Sequence, residues 1–372
     1  MASELALLAS LGVTAMYLRL KLNSNKDLQI IESNYEQNLL MLQSLYGYNA
    51  HSLVSISASA EMWFDPETQC GLTYFERGKM RLVSGEMIGR EALIPIAVKR
   101  FIEQSAHQNK LVCFLPTTEK FAKAIAPIGF EAVKIAAAPY FNLQNWNPRG
   151  NKAKKMRVGC NQARNAGLKV TEIKGIDPTF KKEVGELSQH WLKSRRAEVK
   201  FGWLFDLNPF QFSDCKRFFA ARDCDNKLVG ILAASPIPAR DGWYLEDVLR
   251  YPDSPKGTTD LLIFETLKLL AADGAKIATL GTVPLAMDGE DSFSCRKYKI
   301  SKMLFKLSRE NGEFFYNFKG LRHFKGKFVP CWWESEYILL PKGVLNPLRI
   351  ANTFFYAILP GGFSSLVKRR AN

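Results

Sequence analysis

Hydrophobic and polar positions in the first 148 residues switch repeatedly between helical spacing and strand-like alternation. Apolar residues three and four apart predict helices over 27–47 and 90–107, and a third helix that ends at Gly129. The strand-like runs are Leu53–Ser57, Gly71–Phe75, Lys79–Val83, Leu111–Leu115 and a segment that begins near Glu131. This part of the chain is therefore predicted to run helix, antiparallel strands, helix, strand, helix, strand.

The same order of elements returns in the second part of the chain. Predicted helices cover 151–166, 177–194, 258–272 and a basic segment near 296–309. The predicted strands are 168–173, Phe218–Arg222, Leu228–Ser235, Trp243–Leu249, Ile277–Leu280 and Glu336–Leu340. Two copies of one unit, at 27–148 and 149–342, are the simplest account. The order predicts an α/β (α+β) fold of tandem GNAT-like acyltransferase units, with mixed, mostly antiparallel sheets.

Both ends of the chain carry apolar segments beside positive charge. Within residues 1–26, the apolar or small stretch Leu5–Leu18 precedes Arg19 and is shorter than the ~20 residues that cross a bilayer core. It predicts a signal anchor or an interfacial helix, with a buried first helix as the alternative. Residues 343–372 form an amphipathic tail that either lies on a membrane or caps the second unit. We expect the protein at the cytoplasmic face of the cell membrane, peripheral or held by a single N-terminal anchor.

Positive charge is concentrated in two windows of the sequence. The chain of 372 residues has 51 Lys and Arg against 36 Asp and Glu, a net charge of +15. Residues 149–171 hold seven basic side chains and no acidic one, and residues 296–327 hold ten against two. The rest of the chain is neutral overall. This local excess favours polyanionic partners, either nucleic acid or an anionic lipid surface.

The cysteines and histidines give no sign of a metal site. Seven scattered cysteines form no C-x-x-C pair, and the four histidines lack metal-ligand spacing. Reduced thiols in a cytoplasmic compartment are therefore expected, with no disulfide scaffold and no bound metal.

The segment 244–260 is predicted to be the end of a strand followed by a ligand-binding loop. A predicted strand carrying Asp247 and Arg250 enters a loop with Pro and Gly that opens a helix, where free N–H groups attract anions. If the strand bends near Leu249, the two side chains converge as a proton acceptor and an oxyanion-binding guanidinium. The alternative is a surface ion pair with a helix cap. Two prolines before the single Gly257 differ from a compact CoA-binding loop, so no cofactor is expected.

A second candidate segment, 315–330, interleaves aromatic and basic residues. Its cations include Lys319, Arg322, Lys325 and Lys327. Rings that stack on bases beside cations that follow phosphates suit a single-stranded RNA end. The basic helix 151–166, which contains Arg157, has similar potential. For both segments, a solvated amphipathic helix is the alternative.

Five ordered motifs resemble the C-terminal catalytic domain of bacterial aminoacyl-phosphatidylglycerol synthases, as in the multiple peptide resistance factor. The matching segments are Trp191-Leu192 with Glu198–Gly202, Asp247-Val-Leu-Arg250, Pro255-Lys256-Gly257 with Asp260, Gly281-Thr-Val-Pro284-Leu285, and Tyr316 through Pro330 to Trp332 or Trp333. The resemblance covers roughly residues 55–340 and does not include the multi-span flippase half of the resistance factor.

The resemblance implies transfer of an amino acid, Lys or similar, from aminoacyl-tRNA to a hydroxyl of phosphatidylglycerol or a related lipid. It places Asp247, Arg250 and a glutamate, Glu313 or Glu310, at the transfer centre. Lys325 and Lys327 match basic residues of the family that would meet tRNA or lipid phosphate. The further residues predicted for tRNA or substrate binding are Lys256, Gly257, Arg157 and Arg322. The co-substrate is aminoacyl-tRNA, whose ester bond is already activated. The partners expected are this tRNA and an anionic phospholipid membrane.

One departure bears on the acceptor. Where the resemblance leads us to expect an acidic pair, the chain reads Lys134-Ile-Ala-Ala-Ala-Pro139. Transfer to a peptidoglycan precursor or a protein is therefore an alternative, and a non-catalytic membrane- or RNA-binding module is another. The sequence leaves open the amino acid, the acceptor lipid and the oligomeric state.

Overall fold

The computed structural model describes residues 34–57, 59–194, 207–290, 293 and 318–343. The elements of the first half are α1 Tyr35–Tyr46, β1 Glu61–Asp65, β2 Cys70–Arg77, β3 Met80–Ser84, α2 Ile94–His107, β4 Leu111–Thr118, α3 Glu119–Ile125 and β5 Phe130–Asn142. Those of the second half are α4 Lys154–Asn165, β6 Lys169–Ile173, α5 Pro178–Ser194, β7 Arg217–Arg222, β8 Leu228–Ile237, β9 Gly242–Arg250, α6 Thr258–Ala272, β10 Ile277–Thr279, β11 Val283–Pro284, α7 Phe318–Gly326 and β12 Trp332–Pro341.

A single mixed sheet runs through both halves. Its strand order is β1-β2-β3-β4-β12-β5-β10-β9-β8-β7-β6, with β11 pairing to β5. Most neighbours are antiparallel, and the described parallel pairs are β3 with β4 and β9 with β10. In each half, one helix connects the parallel pair, α2 in the first and α6 in the second. This repeated crossover confirms the predicted fold class of two acyltransferase-like units.

The last strand crosses from the second half of the chain into the first. β12 pairs antiparallel with β4 along one edge and with β5 along the other. Its Tyr337 and Leu339 are buried in the same apolar core as Phe101 and Phe114 of the first half. The first unit is therefore completed by residues beyond the boundary predicted at 148.

Helices cover both faces of the second half of the sheet. On one face, α4 and α6 enclose Met156, Leu262 and Leu267 against Phe219. On the other face, α5 packs Leu187 and its neighbours against the opposite side of β7 and β8. These two cores allow each β9 side chain to be assigned to a face.

One predicted strand is wrong. Residues Leu53–Ser57 form turns, in which the Ser55 hydroxyl donates to the Ser52 carbonyl and the Ile56 amide to the Leu53 carbonyl. Leu53 and Ile56 are fully buried, so their apolar character reflects a packed loop. Serine hydroxyls bind local backbone groups and thereby favour turns over sheet pairing.

Several predicted segments lie outside the described residues. These are the N-terminal stretch Leu5–Leu18, the motif residues Glu198–Gly202 and Tyr316, the basic helix near 296–309, Glu310 and Glu313, and the tail from 344 onward. Within the residues that are described, no helix has the length and apolar character needed to cross a membrane.

Candidate functional site

A β-bulge at Glu246 determines where the β9 side chains point. Leu245 pairs with Ala234 and Asp247 pairs with Ala233, so two residues of β9 advance against one of β8. Before the bulge, Leu245 faces the core under α4 and α6. After the bulge, Val248 faces that same core, and Leu249 faces the core under α5. Because Asp247 is two residues from Leu249, it shares the α5 side of the sheet.

Asp247 and Arg250 therefore do not converge as a simple pair. The strand continues to Arg250, and three steps along it place the two side chains on opposite faces. The Arg250 Nη1 atom donates to the carbonyls of Tyr251 at 2.9 Å and Pro252 at 3.1 Å, and to the Ser254 hydroxyl at 3.1 Å. Arg250 thus organises the loop that follows the strand.

The bulged residue forms a buried ion pair. A Glu246 carboxylate oxygen lies 2.5 Å from the Lys216 ammonium, and both side chains are almost fully buried. Burial raises the pKa of Glu246, and the Lys216 charge opposes that shift. This pair was not predicted from the sequence, although a charged residue beside Asp247 in an apolar strand was a visible signal.

The loop after β9 is packed tightly against α4. Gly257 has φ +85°, and a Cβ at this position would lie 1.9 Å from the carbonyl oxygen of Gly159. Only glycine fits both the left-handed backbone and this contact. Lys256, the preceding residue, is exposed. The predicted Pro-Lys-Gly element therefore fixes the start of α6 and presents one cation at the surface.

Lys327 binds the first turn of α6. Its ammonium lies 2.5 Å from an Asp260 carboxylate oxygen and 4.2 Å from the centre of the Phe324 ring. Burial raises the pKa of Asp260, while the hydrogen bond from Lys327 lowers it. Lys327 thus ties the segment after α7 to the beginning of α6.

Lys325 donates to three consecutive carbonyl groups beyond β10. Its ammonium lies 2.6 Å from the Leu280 oxygen and 3.0 Å from each of the Gly281 and Thr282 oxygens. Burial lowers the pKa of Lys325 to about 7. Like Lys327, Lys325 is occupied by protein groups, so direct phosphate binding by either residue stays a prediction.

A hydrogen-bonded chain beside Lys325 was missed in the sequence. The His51 Nε2 atom is 2.8 Å from the Thr282 hydroxyl oxygen, which lies 3.1 Å from Glu336 Oε1. Burial raises the pKa of Glu336 to about 8 and lowers that of His51 to about 4, which keeps the imidazole neutral. Residues from three distant parts of the chain therefore form one polar cluster.

Two further glutamates lie near this cluster. The Glu334 carboxylate accepts hydrogen bonds from both terminal guanidinium nitrogens of Arg240, the shorter at 2.9 Å. The Glu86 carboxylate accepts from the Asn49 amide at 3.0 Å and from the Thr118 backbone N–H at 2.5 Å. We call Glu86, Glu334 and Glu336 the seam carboxylates, since they lie where β12 joins the two halves.

Tyr244 connects the seam to the β9 bulge. Its ring meets His51 edge-on, with 5.3 Å between centroids. Gly281, at φ +72°, lies against the same ring; a Cβ there would be 2.4 Å from Tyr244 Cε2. Burial and neighbouring carboxylates, among them Asp247 and Glu336, raise the pKa of Tyr244. Asp247 therefore lies within electrostatic range of a tyrosine that also contacts the seam.

The two basic windows meet at the surface. Lys155 of α4 donates to His323 of α7 across 3.3 Å. Arg157, exposed on α4, donates to the Gly150 carbonyl at 2.8 Å. Arg322 is exposed on α7, and its guanidinium donates to both carboxylate oxygens of Asp288, which lowers the pKa of Asp288. The exposed faces of these helices are defined here as the α4–α7 basic surface.

The described residues contain no group of three or more His, Cys, Asp or Glu side chains that could hold a metal ion. The expectation of metal-free chemistry remains a prediction.

Comparison with known proteins identifies a family. The sequence model of phosphatidylglycerol lysyltransferase, C-terminal, matches residues 41–340. The phosphatidylglycerol lysyltransferase of Bacillus subtilis is 21% identical over 298 residues, which cover 80% of this chain and 34% of that protein. The corresponding Staphylococcus aureus protein is 22% identical and covers 84% of this chain and 36% of its own length. The chain thus spans about a third of these relatives.

The fold has a solved counterpart. The structure of L-PGS from Bacillus licheniformis superimposes with a TM-score of 0.70 at 20% identity, covering 86% of this chain and 95% of that one. The shared architecture therefore extends over nearly the whole of the matched domain.

Proposed function

Because the chain belongs to the family of phosphatidylglycerol lysyltransferase C-terminal domains, we propose that it transfers an amino acid from aminoacyl-tRNA to a lipid hydroxyl. The acceptor is phosphatidylglycerol or a related anionic phospholipid, and the reaction takes place at the cytoplasmic face of the membrane. Lysine is the proposed amino acid, since the relatives are named as lysyltransferases.

The observation that supports tRNA binding is the contact between two basic helices, α4 and α7. The Lys155–His323 contact brings α4 and α7 together. Further basic residues are Lys154 and Arg157 in α4, Lys152 just before it, and Lys319 in α7. All four side chains are exposed. A cationic surface formed by two helices suits a phosphate backbone, whose binding releases counterions. It also borders the loop after β9, because Gly159 of α4 touches Gly257.

The reaction exchanges one ester for another. The lipid hydroxyl oxygen forms a bond to the aminoacyl carbonyl carbon, and the bond from that carbon to the tRNA ribose oxygen breaks. Asp247 is proposed to accept the hydroxyl proton and return it to the departing ribose oxygen. Arg250 is proposed to hold the loop that binds the oxyanion, since its Nη1 contacts are within that loop.

The alanines at 136–138 bear on the choice of acceptor. Ala136, Ala137 and Ala138 are buried in β5, between β12 on one side and the strands of the second half on the other. Ala136 is the cross-strand partner of Glu336, so these small apolar side chains lie beside the seam carboxylates and add no charge there. Acceptor choice is therefore tested directly by the transfer reactions below.

The test is a reconstituted transfer reaction. Purified protein, radiolabelled lysyl-tRNA and phosphatidylglycerol vesicles are expected to yield labelled lipid, whereas phosphatidylethanolamine vesicles are not. Parallel reactions with a peptidoglycan precursor or a protein acceptor address the alternative acceptors. If none of these acceptors gains label with any aminoacyl-tRNA, the proposed enzyme activity fails, and a binding module is the better description.

A cellular measurement complements the reconstituted one. Lipid extracts from cells with and without the gene are compared by mass spectrometry, and a mass increase of one aminoacyl group on a phospholipid is expected only when the gene is present. The mass of that group identifies the amino acid directly. An identical lipid profile in both strains would contradict the lipid acceptor.

A further inference from the structure

The carboxylate of Glu336 is only half satisfied. Its Oε1 atom accepts from the Thr282 hydroxyl at 3.1 Å. Its Oε2 atom is buried and has no hydrogen-bond partner among the described residues, and the residue as a whole is only 7% exposed. A buried carboxylate oxygen without a donor is costly, and native proteins rarely leave one in that state.

The donors around Glu336 are already engaged elsewhere. The Lys325 ammonium donates to three carbonyl groups, and the Arg240 guanidinium to Glu334. The Asn49 amide donates to Glu86 and to the Pro116 carbonyl. None of these groups can turn toward Glu336 Oε2 without breaking an existing hydrogen bond.

The groups at the seam favour an added cation. There are three seam carboxylates, while Arg240 and Lys325 are the basic groups that face them and His51 is neutral. Burial raises the pKa of Glu336 to about 8, so this carboxyl group is mostly protonated at neutral pH. A cationic hydrogen-bond donor from outside the chain would displace that proton and satisfy the orphaned oxygen.

We propose that Glu336 binds an alkylammonium group of the amino acid undergoing transfer. This inference rests on the proposed function, in which every aminoacyl donor carries an α-ammonium group and lysine carries a second. The buried Tyr244 ring contacts His51, which is joined to Glu336 through the Thr282 hydroxyl, so an aromatic side chain belongs to the same polar cluster. Glu336 is thus a specificity-determining residue, separate from the Asp247 and Arg250 roles.

The experiment measures binding of small amides to the full chain by calorimetry. L-lysine amide carries both ammonium groups, L-alanine amide only the α-group, 6-aminohexanamide only the terminal one, and hexanamide none. The wild-type protein is expected to bind lysine amide and one of the two monoamines at least about tenfold more tightly than hexanamide. If L-alanine amide binds tightly, Glu336 contacts the α-ammonium group. If 6-aminohexanamide does, Glu336 contacts the terminal one.

The Glu336→Gln variant is expected to lose this preference for an amine, since it keeps the shape and removes the charge. Glu61→Gln, an exposed position on the edge strand β1, is the matched control and should retain the preference. If the wild-type protein binds hexanamide as tightly as the amines, this measurement alone overturns the proposal. An unchanged preference in Glu336→Gln would also overturn it.

These assays contain neither tRNA nor lipid, so they separate the two proposals. Active transfer by the wild type with no amine preference would remove only the Glu336 inference. The opposite outcome is also distinguishable. If the wild type prefers amines, Glu336→Gln loses that preference, and the wild type transfers to no acceptor, only the proposed reaction is contradicted.

Discussion

The buried polar residues of this protein depend on contacts between distant parts of the chain. The contact between His51 and Thr282 spans 231 positions, and the Thr282 hydroxyl in turn donates to Glu336. The behaviour of single residues at this site therefore depends on the assembled fold.

At the residue scale, Asp247→Asn should abolish most of the transfer activity. The amide cannot accept the hydroxyl proton, so kcat is expected to fall by about 10²- to 10⁴-fold. The measurement is the initial rate with lysyl-tRNA and phosphatidylglycerol vesicles, alongside the melting temperature. Asp253→Asn, an exposed position in the following loop, serves as the control and should retain full activity. A fully active Asp247→Asn protein would exclude Asp247 as the base.

His51 predicts a pH dependence of stability. Its pKa is about 4 in the folded protein and 6.5 in the unfolded chain, so only the unfolded state gains a proton as the pH falls through 6.5. Stability from this residue is therefore present at neutral pH and is lost between pH 6.5 and 4. From pH 7.5 to 5.0 we expect a loss of about 2 kcal/mol that His51→Gln does not show.

The measurement for His51 is urea unfolding at both pH values. His107→Gln, at the exposed end of α2, is the matched control and should follow the wild type. Equal pH dependence in wild type and His51→Gln would show that the imidazole is not held neutral by its surroundings.

Only part of this site could be predicted from the sequence. Asp247 and Arg250 could be identified because they lie in a recognisable strand and loop. His51 and Thr282 could not, because their contact spans 231 positions and spacing along a chain carries no signal for such contacts.

At the scale of secondary-structure elements, periodicity predicted most of the described helices and strands but missed β1 and β11. A helix within 315–330, where α7 lies, was only an alternative. The failure at Leu53–Ser57 has a local cause, since serine hydroxyls compete with sheet pairing in a buried loop. The bulge at Glu246 could not be predicted, because one extra residue leaves the composition of a strand unchanged. It nevertheless decides which face Asp247 occupies.

The helix α4 should contribute to RNA affinity through charge alone. Lys154→Ala with Lys155→Ala is expected to weaken tRNA binding and to lower the slope of log affinity against log salt by about two. Lys181→Ala with Lys182→Ala removes the same charge from exposed positions of α5 and should leave the slope unchanged. Binding is measured by filter retention or anisotropy over a salt series, and equal slopes for both variants would remove α4 from the RNA surface.

At the scale of the whole molecule, the predicted repeat is present, but its halves are not independent. β12 occupies the position between β4 and β5, so a boundary at 148 would separate strands that are hydrogen-bonded neighbours. Sequence order suggested two complete units because periodicity identifies strands and not their partners. The acyltransferase-like architecture could be predicted, whereas this exchange of a strand could not.

A chain that stops before Trp332 should therefore lose structure in its first half. Without β12, the facing edges of β4 and β5 have no partner, and Tyr337 leaves the core around Phe101 and Phe114. We expect β4 and β5 amides to lose protection from hydrogen exchange by mass spectrometry. A chain that stops after Pro341 is the control and should retain it. Protected β4 and β5 amides in the shorter chain would contradict the dependence on β12.

The position of β12 also sets an order of events during synthesis. About 190 residues separate the end of β5 from the start of β12, and at the usual rates of translation that distance takes roughly 10 to 40 s. Throughout this interval the nascent first half holds two strand edges open, which are the surfaces most prone to pairing with another chain. Ribosome-associated chaperones are therefore expected to engage the first half until the last strand emerges, and pausing late in the message would prolong its exposure to aggregation.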